Sequence, residues 1–203
     1  MATMRDWIKK VQLLIPNSVD KMHPLRIMEA LNRAREYVSS YIISVNPEAL
    51  GASITADVAA EVEYITLGKE INPQLIIKVY DQTHEKALTL ADDIYHYSET
   101  GVPCYYYVMG SKLYLYPRPN ADITLKIYYA KPLIQYTNLD DEIEDVIDVC
   151  NYCVAYAAVS LANNDVDMKT AQFELQKAEM QLYRMLGHPL RSEYPRIKNV
   201  YRY

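Results

Sequence analysis

Cys150 and Cys153 form a Cys-x-x-Cys pair, the spacing that carries dithiol redox chemistry where a helix N-terminus lowers the pKa of the first thiol. Here the pair falls well inside an apolar helical run. It also follows Asp140, Asp141, Glu142, Glu144 and Asp145, whose charges would raise a thiol pKa. Both cysteines are therefore expected as buried core. A zinc site is not expected, because no second Cys-x-x-Cys and no His-x-x-x-His completes four ligands. His23, His84, His96 and His188 are scattered, without His-Glu-x-x-His spacing or a Gly-x-Ser-x-Gly elbow, and read as surface or loop residues. Five glycines leave little material for a phosphate loop. The carboxylates of residues 140–148 could in principle hold a divalent cation, but they spread around a helix and lack carbonyl-rich loop geometry, so helix-start electrostatics is the better reading. No catalytic residue, cofactor or metal is expected, and the chain reads as a non-enzyme.

The elements that would position these residues are legible from period and punctuation. Residues 4–15 form an amphipathic helix with Trp7, Ile8, Val11 and Leu14 on one side, stopped by Pro16-Asn17. A longer helix runs from Pro24 to about Val45 along Ile27, Met28, Leu31, Ala34, Val38, Tyr41 and Ile42. Arg26, Arg33 and Arg35 lie beside that stripe, as a solvated helix edge or as inter-subunit ion pairs. Residues 75–80 are β-branched and strand-like, whereas residues 87–97 read either as a short helix or as an irregular arm. From Asn138 to Glu142 the period is expected to switch to helix, with Ile143, Val146, Ile147, Cys150, Val154, Ala157 and Leu161 on its stripe. A last helix places Ala171, Leu175, Ala178, Leu182 and Met185 on one face and stops at Gly187-His188-Pro189. The fold class expected is α+β: a helical bundle from the N- and C-terminal helices, a central β-rich insertion and an extended C-terminal tail. The expected divisions are residues 1–50 with 138–187 as helical core, 51–137 as β-rich insertion and 188–203 as docking tail.

A chain of 203 residues buries a self-sufficient core, and three cysteines give no disulfide framework, which suits a reducing cytoplasm. The formal net charge of −5, without a long basic run in the first 180 residues, argues against a protein whose main task is gripping phosphates. The N-terminal apolar run is too short for a signal peptide, and no segment approaches the roughly 20 apolar residues of a membrane span. Tyrosine is used 20 times against one Phe and one Trp. Two readings stay open: a codon bias toward AT-rich triplets, or aromatic positions whose hydroxyls suit subunit interfaces.

Residues 100–133 concentrate that aromatic content. Leu113 and Leu115 alternate with Tyr114 and Tyr116, and Ile123, Leu125, Ile127 and Tyr129 alternate with Thr124, Lys126 and Tyr128. Met109-Gly110-Ser111 makes a tight hairpin, and Pro117-Arg118-Pro119-Asn120 ends a strand. Tyr105, Tyr106, Tyr107, Tyr114 and Tyr116 crowd onto one hairpin, either as a partner-binding patch or as a face packed on the subunit's own helices. The tail has no helical stripe. It carries Arg191, Arg196, Lys198 and Arg202 against Glu193, interleaved with Tyr194, Tyr201 and Tyr203. It reads as a disordered end or as an arm that orders on a partner.

Thr100, Gly101, Pro103, Tyr105, Tyr106, Gly110, Leu113, Leu115, Pro117, Pro119, Tyr128, Pro132 and Leu133 together resemble the head-to-tail connector family of tailed bacteriophages, the adaptor ring that docks beneath the portal. Echoes extend over about two thirds of the chain. The resemblance implies a structural virion protein at the head-to-tail junction, assembled in the bacterial cytoplasm. It implies a cyclic homo-oligomer, twelve copies, with the portal protein, neighbouring copies and the next tail or ring protein as partners. DNA would pass through the ring without sequence-specific binding, and no membrane is involved. In this family a terminal segment reaches the portal or the next ring, which the resemblance implies for residues 188–203. The alternatives from the same residues are another virion ring component, such as a stopper or tail-completion protein, or a small soluble enzyme.

Overall fold

A computed structural model of the chain describes residues 2–19, 22–91 and 99–187. Two compact units emerge, one from the chain up to Val38 and from Ile134 onward, the other from Ser39–Leu133.

The first unit is mainly helical. Helix α1 (Met4–Leu14) starts with a capping box: Thr3 Oγ1 accepts from Asp6 N, and the Asp6 carboxylate accepts from Thr3 N at 3.0 Å. Met4, Trp7, Ile8 and Val11 follow the helical period and are buried. A single turn, α2 (Pro16–Val19), leads toward α3 (Pro24–Val45), whose stripe of Ile27, Leu31, Ala34 and Val38 is also buried. Helix α4 (Ile147–Leu161) is apolar nearly all round, and such a helix must be covered on several sides. It packs against α1 and against α5 (Asp165–Met185). Tyr156 of α4 stacks on Tyr37 of α3 with ring centroids 5.3 Å apart. Asn164 caps α5, and the chain leaves that helix at Gly187 with φ +73°, a left-handed position that favours glycine.

The second unit is built on seven strands: β1 (Gly51–Val58), β2 (Tyr64–Thr66), β3 (Ile76–Asp81), β4 (Lys86–Leu90), β5 (Tyr105–Met109), β6 (Lys112–Tyr116) and β7 (Ile123–Ala130). They lie in the spatial order β1-β7-β3-β4-β5-β6-β2. All neighbours are antiparallel except β4 and β5, which run parallel, so the sheet is mixed. The two edge strands, β1 and β2, follow each other in the chain. Residues 59–63 join them, a span of roughly 18 Å at most, so the sheet curls until its edges nearly meet. Ala60 N donates to the Asp122 carboxylate and Glu61 N to Pro119 O across that connection. Inside lie Val79, Leu88, Tyr106, Leu113, Leu115, Ile123, Leu125 and Ile127. Fully burying an aliphatic side chain of this size stabilises by about 1.5–3 kcal/mol relative to exposure.

This corrects the expected bundle framing a β-rich insertion. The fold is α+β, but the helices do not assemble as a bundle around the strands. A sheet whose edges nearly meet covers its own apolar face, so it needs no helix stripe to complete its core. Residues 86–90 are a strand, because Leu88 sits opposite Val79 and fills that interior.

The expected helix start at Asn138–Glu142 is also corrected. Glu142–Ile143 is instead a short extended piece paired antiparallel with Ala2–Thr3, and α4 begins only at Ile147. The carboxylates before it are committed elsewhere. Asp140 pairs with Arg5 at 2.9 Å, and Asp141 accepts from Thr137 N and Asn138 N. Asp145 is drawn inward by Arg35, leaving only Asp148 in the first turn of α4.

Candidate interaction surfaces

Period-two alternation splits the hairpin tyrosines. Tyr106 sits opposite Leu115 and is buried among the inward residues of the sheet, which pushes its phenol pKa up. Tyr105 and Tyr107 on β5 lie opposite Tyr116 and Tyr114 on β6, and these four share the outward face. Their ring centroids are 6.4 Å apart for Tyr105 and Tyr116 and 6.3 Å for Tyr107 and Tyr114. The next strand extends the row: Tyr64 of β2 is opposite Tyr114, with centroids 5.3 Å apart. Cross-strand aromatic pairs of this kind are worth about 0.5–1.5 kcal/mol each beyond area burial. The hairpin therefore displays a pre-ordered ladder of rings, of which Tyr105 and Tyr64 are the most exposed.

Lysines border the ladder. Lys112 Nζ sits 3.8 Å from the centroid of Tyr64, and its contact with that side chain raises its pKa, so it is fully cationic at neutral pH. Lys78 shares the outward face on β3, beside Tyr128 of β7, with Nζ 5.4 Å from the Tyr80 centroid. Neither lysine forms an ion pair with a carboxylate among the described residues. Tyr64, Lys78 and Lys112 are not among the partner-binding residues expected from the sequence. Tyr64 carried a signal, since it alternates with the inward Ile65, but which strand it would join had none.

The sequence motifs with chemical potential are placed as follows. Cys150 and Cys153 are buried in α4; burial and the nearby Asp145 charge push the Cys150 thiol up to about 12, and burial drives Cys153 up as well. Both stay protonated near neutral pH, so neither is a nucleophile there. Among the described residues no group of His, Cys, Asp and Glu is placed to hold a metal ion. His23 Nδ1 accepts from Leu25 N, and His84 Nδ1 lies 2.7 Å from the buried Asp81 carboxylate, which also accepts from Thr83 N and His84 N. Both are turn-organising contacts. His96 and His188 lie outside the described residues, as do Arg191, Tyr194, Arg196, Lys198, Tyr201, Arg202 and Tyr203 of the tail.

Arg35 is not an edge residue. Its side chain is 1% exposed and makes a two-pronged ion pair with Asp145, Nε to Oδ2 at 2.8 Å and Nη2 to Oδ1 at 2.9 Å. Nη1 donates to Ile134 O, and the guanidinium stacks 4.1 Å from the Tyr136 centroid. Asn32, one turn earlier, donates to Tyr136 O and accepts from Tyr136 N. This clamp holds the extended chain ahead of α4 against α3, with Ile143 and Asp145 inward. Glu142, Glu144 and Val146, the alternate residues, are left exposed, and Ile147 follows them.

Residues 3–196 match the family model described as SU10 adaptor protein. The chain belongs to the SU10 adaptor protein family. The match spans nearly the whole chain, well beyond the stretch that carried the resemblance to phage connectors. Membership makes it a structural adaptor of a bacteriophage, whose interactions are with other phage head and tail components. No curated protein matches the chain. No helix of the adaptor's described residues is long and apolar enough to cross a membrane.

Proposed function

We propose that this adaptor forms a closed ring, of twelve copies, beneath the portal and around the DNA channel, joining the head to the next tail or ring protein. The observation that carries the reading is the adaptor-family match over residues 3–196. A closed ring of identical copies needs a head-to-tail contact, with two different complementary patches on each copy. The outward ladder of Tyr105, Tyr107, Tyr114 and Tyr116 is suited to be one of them, since rigid amphipathic rings cover area at low entropic cost. Tyr106 leaves that set because it fills the sheet interior.

The portal-reaching element in this reading is the tail. Arg191, Arg196, Lys198 and Arg202 oppose Glu193 there, so its charge is opposite in sign to that of a chain whose net charge is −5. Tyr194, Tyr201 and Tyr203 supply the apolar part of the contact. The acidic balance of the rest suits a channel wall that DNA passes without gripping.

Truncation after Gly187 tests the assignment. Helix α5 already ends there, so urea unfolding of the truncated protein should match that of the full chain. Binding to purified portal should be lost, and in the full chain it should weaken as salt rises, because rim charges are screened. Unchanged portal affinity after truncation would remove the tail from the interface, and rings of another copy number in electron micrographs would correct the stoichiometry.

A further inference from the structure

We propose that the contact between neighbouring copies joins the tyrosine ladder of one adaptor to the exposed segment Glu142, Glu144, Val146 and Ile147 of the next. The inference rests on the ring reading above and names the second patch that reading requires.

The two surfaces are complementary in both charge and polarity. Four outward rings, Tyr105, Tyr107, Tyr114 and Tyr116, make an aromatic centre. Lys112 borders it on β6, and Lys78 borders it two strands from β5, on β3, about 10 Å away at the usual strand spacing. Glu63 and Glu99 are the carboxylates nearby, and both are engaged: Glu63 pairs with Arg118 at 3.1 Å, and Glu99 accepts from the Tyr116 hydroxyl at 2.9 Å. Among the described residues neither Lys78 nor Lys112 forms an ion pair, so both charges are open to a partner.

The opposing segment has the inverse chemistry. Val146 and Ile147 are 54% and 60% exposed, an apolar centre next to Glu142 and Glu144. Asp140, just before them, is already paired with Arg5, and Asp145 with Arg35. Glu142 and Glu144 make no ion pair among the described residues. Their positions are fixed, because Ile143 between them and Asp145 after them are anchored inward. Rings over Val146 and Ile147, with lysines meeting glutamates at the rim, give an apolar centre and a charged border, the usual anatomy of a specific interface. Because the patches differ, the contact is head-to-tail and can propagate around a ring.

Exchanging charges between the two surfaces tests this without portal. One variant carries Lys78→Glu with Lys112→Glu; the other carries Glu142→Lys with Glu144→Lys. Self-association of each full-length protein is followed by sedimentation and native mass spectrometry. Each variant alone faces like charge across the contact and should self-associate about a hundredfold more weakly than the parent. An equimolar mixture should recover the parent's association, with the two variants alternating, because every mixed contact again pairs opposite charges. Circular dichroism checks that the variants fold, and the mixture itself guards the test, since misfolded proteins do not rescue each other. Variants that assemble like the parent, or a mixture that fails to recover, would overturn the proposal, as would a parent that stays monomeric up to its solubility limit. Self-association lost only on truncation after Gly187 would also overturn it, by placing the copy contact in the tail. Portal binding is not read in this experiment, so failure of the copy contact and failure of the portal assignment are distinct results.

Discussion

Removing the Arg35 guanidinium should be among the most damaging single changes in the helical unit. Arg35→Met deletes a two-pronged ion pair, a donor to Ile134 O and a stack on Tyr136, and leaves Asp145 buried without its cation. Breaking a buried pair by removing one partner costs about 3–5 kcal/mol, most of it the stranded charge. Asp145→Leu strands the guanidinium instead and should cost a similar amount. Replacing both removes the stranded charge, so the double variant should lose roughly 1–3 kcal/mol, far less than the two single losses added. For a chain of this length, 3–5 kcal/mol corresponds to a melting shift of about 10 °C. The sole tryptophan, Trp7, is buried in α1, so its fluorescence during urea unfolding reports on the unit that contains the clamp. Additive losses in the double variant would refute the reasoning, because they would mean that the two side chains act through separate packing and not through each other. A single-variant loss below 1 kcal/mol would refute it as well.

Gly110 has φ +59° at the first position of the two-residue turn between β5 and β6, and no atom stands within 4 Å of where a Cβ would lie, so Gly110→Val should cost about 1–3 kcal/mol through backbone strain alone. Gly110→Asn should cost clearly less, since asparagine tolerates that region; equal unfolding midpoints for the two variants would show that the turn does not require it. Hydrogen bonds from Thr3 hold the Asp6 carboxyl below its ordinary 3.8, and although burial raises the Asp167 carboxyl, hydrogen bonds from Ser18, Asn164 and Asn17 bring it below 3.8 as well. The unfolded chain therefore binds more protons as pH falls toward and below about 4, and the stability these groups contribute is present above about pH 4 and lost as pH falls through their lowered values. Asp6→Asn and Asp167→Asn should each flatten the fall in stability measured between pH 5 and pH 2, and an unchanged slope would contradict the assignment.

Helix ends marked by local chemistry were readable: the residue before Pro16, Pro24 itself and Gly187 bound α1, α3 and α5 close to where the structure puts them. The start of α4 was not. A run of acids ahead of an apolar stripe satisfies the dipole rule for a helix start, but Asp145 is claimed by an arginine 110 residues earlier in the chain, and no window along the sequence contains both. Strand existence was legible from alternation at residues 113–116 and 123–129 but not at Lys86–Leu90 or Gly51–Val58, and partner choice was not legible at all. The parallel step from β4 to β5 and the near meeting of β1 and β2 depend on where distant segments arrive. Tyr106 is a different case. The same alternation that put Leu113 and Leu115 on one face separates Tyr106 from Tyr105 and Tyr107, so its burial was available from the sequence even though the three tyrosines are consecutive.

Both proposed copy-facing surfaces obey that single geometric rule. In the hairpin, Tyr106, Leu113 and Leu115 commit one side of two extended segments to the sheet interior, which leaves Tyr105, Tyr107, Tyr114 and Tyr116 outward in fixed register. Before α4, Ile143 and Asp145 commit alternate positions inward, which leaves Glu142, Glu144 and Val146 outward. Anchored alternation of this kind spends the ordering entropy of the backbone during folding, so little remains to be lost when a partner arrives. A ring that must close needs that economy at every contact, because a small angular error per copy accumulates around the circle. Weakening the anchor should then harm assembly without touching either surface: the Arg35→Met change, whose residue contacts no proposed partner, should loosen the Glu142–Ile147 stretch and reduce self-association at concentrations where the helical unit is still folded.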